Sequence, residues 1–120
     1  MDADTCHRWV VPAEALIGLD AVAVRDMLVE CFTAAQRETF ARAKESLGMP
    51  IDEESLRRSV TGAVRAAFKS AGGDFDAPTK SSIILAIDVL AASAAAWGTP
   101  ADIVDHHHQQ IEVVVSRLAE

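Results

Sequence analysis

Residues 83–97 carry almost no polar group. Asp88 and Ser93 are the exceptions, and every other side chain is Ile, Leu, Val, Ala or Trp. A helix apolar on nearly all sides needs cover on nearly all sides. That requirement predicts an all-α fold with this helix, the third, central and largely buried among neighbours. It names an architecture and leaves the chemistry open.

The punctuation of the chain supplies those neighbours. Residues 1–11 read as an irregular N-terminal segment ending in an extended Trp9-Val10-Val11. Pro12 biases Val11 away from helical angles and suits a helical first turn, so a short helix is expected over 12–17, stopped by Gly18. Asp20 is a good N-cap for a first long helix over 21–47, which has no Pro or Gly before Gly48 and Pro50. Val24, Leu28, Cys31 and Ala35 follow helical spacing there, with Phe32, Ala43 and Leu47 widening the arc. Asp52 caps the second helix, and Glu53 and Glu54 suit its positive end. Leu56, Val60, Ala63, Val64, Ala67, Phe68 and Ala71 form one apolar stripe before Gly72-Gly73. The third helix is expected from Thr79 to Gly98. Thr99-Pro100 reads as cap plus first-turn proline for a fourth, running to about 119.

Short connections between four such helices predict an antiparallel four-helix bundle, with residues 12–120 forming one domain. The aromatic content is four Phe and two Trp with no Tyr, so the core is expected to be built from Ala, Val, Leu and Ile. The lengths do not match. About 27 residues of the first helix would span ~40 Å, against ~28 Å for about 19 residues in the others. The mismatch and the 50% hydrophobic content point to a homodimer. Its interface is expected to use the N-terminal part of the first helix and an apolar helix face.

Charge excludes some partners. With 11 basic and 18 acidic residues the net charge is -7, and no basic arm is present, which disfavours nucleic acid and anionic membrane surfaces. The acidic start lacks the apolar run of a signal peptide. The apolar run at 83–97 is too short for a membrane span and contains Asp88. A cytosolic protein is expected. Cys6 and Cys31 form neither a metal motif nor a disulfide framework, and Cys31 falls on the apolar arc of its helix, where a small buried hydrophobe is the simple reading.

Polar candidates concentrate on the fourth helix, in His106-His107-His108. Successive helical residues point about 100° apart, so the three cannot share a face. His107 falls near the centre of the stripe of Ile103, Val104, Ile111, Val114, Val115 and Leu118. His108 lies at its edge, and His106 faces solvent near Asp102. His107 is therefore expected to be buried and hydrogen-bonded, with Asp88 or a backbone carbonyl as partner, and Asp88 with His107 forms the candidate ligand-binding pair. A core histidine satisfied by one hydrogen bond is the plainer reading. His106 with Asp102, and His108 with Glu112, are i,i+4 surface pairs.

A metal reading uses Asp105 and His108, which match half of the acidic-x-x-His pattern of di-metal carboxylate bundles. His7 is the only other histidine, so a second half would have to come from a second copy. The segment 73–82 is no phosphate loop, because Pro78 stands where the glycine before lysine belongs and Lys80 is one place late. It also lacks the late Glu of a calcium loop. It is read as a plain connection. Arg58, Arg65 and Lys69 line one side of the second helix, either as a solvated face or as a docking face for an acidic protein partner.

No serine or cysteine can be placed beside a histidine by spacing, and no cofactor is indicated. The reading is a non-enzymatic self-association or protein-interaction module. The alternative is a small-ligand or metal-binding bundle around His107, His108 and Asp88.

Overall fold

The computed structural model describes residues 9–11, 14, 17–47 and 52–118, and the side chains of these apart from 43–47. Among them the chain forms four helices and no strand: α1 (Ala21–Leu47), α2 (Glu53–Ser70), α3 (Lys80–Ala96) and α4 (Ala101–Ser116). The expected helix over 12–17 lies largely outside the described residues; at its end the Ile17 N–H donates to the Glu14 carbonyl at 3.4 Å.

Local chemistry sets the helix ends. Asp20 Oδ1 accepts the Ala23 N–H at 2.8 Å, and Asp52 accepts from the Glu54 and Ser55 N–H groups, satisfying amides that have no partner in a first turn. Thr79 and Ser82 form a reciprocal capping box on α3. Gly72 closes α2 at φ 77°, where an L side chain is strained. Gly73 is required by close approach, since a Cβ there would lie 2.6 Å from Cβ of Ser82. Thr99 departs from expectation. Pro100 takes the N-cap position of α4 without a side-chain bond, and the buried Thr99 hydroxyl accepts from Gln36 Nε2 at 3.2 Å.

The four helices pack as an antiparallel bundle. Along α1 and α4 the partners run in opposite order, from Arg42 with Asp102 to Cys31 with His107. Arg37 with Glu53 and Arg25 with the Phe75 carbonyl show the same for α1 and α2. Each helix lies against its chain neighbours, and α4 closes onto α1.

Helix α3 is not largely buried. Its buried residues, Ser82, Ile83, Ala86, Ile87, Leu90 and Ala94, make one face, while Ile84, Leu85, Ala92, Ala95 and Ala96 are exposed. Burial on every side belongs instead to α1, although α1 and α3 each pack against the other three helices. From Cys31 to Ala35 every residue of α1 is buried. Four steps of about 100° pass completely round a helix. Much of the apolar character of α3 comes from alanines, whose small area makes exposure inexpensive.

The length mismatch also resolves differently. Arg37 meets the first residue of α2, and Arg42 meets Asp102 in the first turn of α4. The backbone beyond residue 42 therefore runs past both neighbours. The overhang is C-terminal, while Val24 and Leu28 of the N-terminal part are fully buried within the fold. That part of α1 contributes to the bundle's own core.

The connection after α2 is anchored. Phe75 meets Phe68 edge-on at 5.9 Å and lies between the guanidinium groups of Arg25 and Arg65, 4.6 and 4.3 Å from its ring centre. Among the described residues, no helix is long and apolar enough to cross a membrane.

Candidate functional site

The histidine triplet of α4 is where residues 9–11 meet the bundle. His107 is fully buried, as its position in the stripe requires. Its Nδ1 lies 2.9 Å from the Ile103 carbonyl, which can only accept, so Nδ1 carries the proton. Its Nε2 then presents a lone pair, and the Trp9 N–H donates to it at 3.2 Å. The partner of Nδ1 is the backbone carbonyl of the two alternatives that the sequence left open. Asp88 is elsewhere.

His106 is not turned to solvent as expected. It is half-buried, and its Nε2–H donates to the Trp9 carbonyl at 3.0 Å. The two rings meet edge-on with centres 4.9 Å apart. One turn along, the Gln110 carboxamide oxygen accepts the Val11 N–H at 3.2 Å. Three side chains of α4 thus read three backbone groups of residues 9–11. The expected pair of His106 with Asp102 does not form, because Asp102 holds Arg42 with both carboxylate oxygens, at 3.0 and 2.6 Å.

His108 occupies a separate place. Its Nδ1 lies 3.3 Å from Glu112, the expected i,i+4 partner, and its Nε2 is 3.9 Å from Asp88. Asp88 is 72% exposed and stands across the α3–α4 seam from His108. Asp88 and His107 therefore do not form a pair, since one points outward and the other into the core. Asp105 is exposed. Among the described residues, no group of three or more His, Cys, Asp or Glu is placed to hold a metal ion. The arrangement around His106 and His107 can capture peptide backbone; among the described residues it presents no nucleophile beside a base.

One buried charge escaped the sequence reading. Glu38 is 1% exposed and pairs with Arg42 at 3.3 Å, which links it to Asp102. The signal was present. Val24, Leu28, Cys31, Ala35 and Glu38 continue one 4, 3, 4, 3 register, so Glu38 sits on the buried stripe of α1. Arg42, one turn later, is the i,i+4 partner that makes burial tolerable.

Cys31 is buried, and its thiol donates to the His107 carbonyl at 3.3 Å. Burial pushes its pKa well above the usual thiol range. On α2, two of the three cations proposed as a docking face are engaged within the chain. Arg58 meets Glu54 at 3.2 Å, and Arg65 stacks on Phe75 and lies 3.6 Å from Asp76. Lys69 is exposed.

No family model, curated protein or solved structure matches this chain.

Proposed function

We propose that this protein is a non-enzymatic self-association module, and that two copies pair through the outward face of α3. The observation that carries the reading is the composition of that face. Ile84 and Leu85 are 44% and 50% exposed, Ala92, Ala95 and Ala96 continue the surface, and Trp97 follows at 60% exposed. Asp88 is the one charge among them. A contiguous apolar surface on a small domain favours association, and a two-fold pair is the simplest closed form. The outward face of α2 carries Arg57, Arg58, Arg65 and Lys69 and offers no comparable surface. A free, buried Cys31 thiol suits a reducing compartment, and a cytosolic setting belongs to the proposal.

Sedimentation equilibrium on the full chain tests it. A dimer is expected at tens of micromolar, reduced to monomer by Leu85→Glu with helix content unchanged. A monomeric wild-type protein, or a dimer indifferent to Leu85→Glu, rejects the reading.

A further inference from the structure

The contacts of Trp9 with His106 and His107 carry a consequence for the N-terminal segment. His107 uses both ring nitrogens, and in only one protonation state. Nδ1–H donates to the Ile103 carbonyl, and the Nε2 lone pair accepts from the Trp9 N–H. A second proton on the ring would go to Nε2. It would replace an acceptor by a donor, directly opposite another donor.

We propose that residues 9–11 form a proton-released strap, docked on α4 while His107 is neutral and detached when its Nε2 is protonated. The docked state excludes a proton at Nε2 and the released state accepts one. Docking therefore strengthens as pH rises and weakens as pH falls through the range in which imidazoles take up protons.

The surroundings decide which histidine is the switch. His106 already donates from Nε2 to the Trp9 carbonyl, and a second proton would enter at Nδ1 and leave that bond in place. Gln110 does not titrate. Among the described residues, the other titratable side chains on the inward faces are Cys31 and Glu38, both from α1. Cys31 stays neutral, and Glu38 is held by Arg42 nearer the other end of the bundle. The buried residues of α2 and α3 bring no charge toward His107. The tripeptide itself carries none. Release exposes the half-buried faces of Trp9 and Val11, which pack on the core cluster, and leaves the helix-to-helix contacts untouched.

The test uses the full chain and nuclear magnetic resonance. Two-bond nitrogen–proton correlation at pH 7.5 should show the Nδ1–H tautomer for His107, the less common form of a histidine in water. The exchange protection of the Trp9 and Val11 amides, corrected for intrinsic rate, should fall about tenfold or more between pH 7.5 and 5, with far-ultraviolet circular dichroism unchanged. In His107→Gln the pH response should vanish; in His106→Gln it should persist. An Nε2–H tautomer overturns the proposal. So does protection that is flat with pH, or a response retained in His107→Gln. Should His107→Gln fail to fold, the tautomer and the exchange profile of the unaltered chain still decide the matter.

Discussion

Helices α1 and α3 invert each other. The middle of α3 is nearly all apolar, yet much of its circumference is exposed. Helix α1 carries Arg, Asp, Glu and Lys along its length, yet it is buried on every side from Cys31 to Ala35. The difference shows that burial does not follow composition alone. Both helices pack against the other three, so the number of helix neighbours does not separate them. Helix α1 tolerates its position because its charges lie at the edges, as with Arg37 on Glu53, or are paired where they enter the core, as with Glu38 on Arg42.

The sharpest way to break this comparison is one change on each helix. Leu28 on α1 is fully buried, and Leu85 on α3 is half-exposed. Leu28→Ala should lower unfolding free energy by about 2–5 kcal/mol, the range for large-to-small core changes. Leu85→Ala should cost under about 0.5 kcal/mol, as an ordinary surface change. Urea denaturation at concentrations too low for self-association measures both, and equal losses would mean that α1 and α3 are not different in the way described.

The paired charges give a second, smaller contrast. Arg42→Ala takes a guanidinium away from a carboxylate that is buried in α1 and should destabilise by on the order of 2 kcal/mol. Arg58→Ala removes an exposed i,i+4 pair on α2 and should cost about 0.3–0.5 kcal/mol. Similar values from the same denaturation experiment would show that burial of Glu38 has no energetic consequence.

The buried side of α1 also predicts a response to alkali. The folded-state pKa of Cys31 is raised by burial above its unfolded value near ~8.5. Its contribution to stability is therefore fully present below that value and declines as pH rises beyond it. Cys31→Ala should flatten this alkaline decline in thermal melts. In the native protein at neutral pH, peptide mapping should find Cys31 unalkylated until the chain unfolds.

The smallest effect is expected at a helix end, away from both interiors. Hydrogen bonds from Ser55 and Glu54, helped by Arg58, hold the Asp52 carboxyl below its usual range. A depressed carboxylate contributes stability that is present above the unfolded pKa near ~3.9 and lost as pH falls through the folded value. The stability difference between wild type and Asp52→Asn should shrink as pH falls toward 2, with no such change for Ser59→Asn on the exposed face of α2. A difference constant with pH would exclude an ionised cap.

The features legible in the sequence were those governed by residues within a turn of each other. Asp20, Asp52 and Thr79 cap because a short oxygen-bearing side chain stands before a helical run. His107 points inward because it shares a stripe with Ile103, Ile111 and Val114. His108 finds Glu112 one turn away. Glu38 was equally legible, because it shares the register of Val24, Leu28, Cys31 and Ala35. Thr99 shows the converse: a good local cap was diverted by a long-range bond to Gln36.

The sequence by itself determined that this chain makes capped helices with apolar stripes, because propensity, periodicity and capping act over three or four residues. Only the tertiary structure decided which helix is buried on every side, that Asp88 faces His108 and not His107, and that the backbone of Trp9 completes the hydrogen bonding of an imidazole 98 positions away. Such pairings depend on how whole helices rotate and slide against one another. That is set by the summed packing of many side chains, and no local spacing along the chain encodes it.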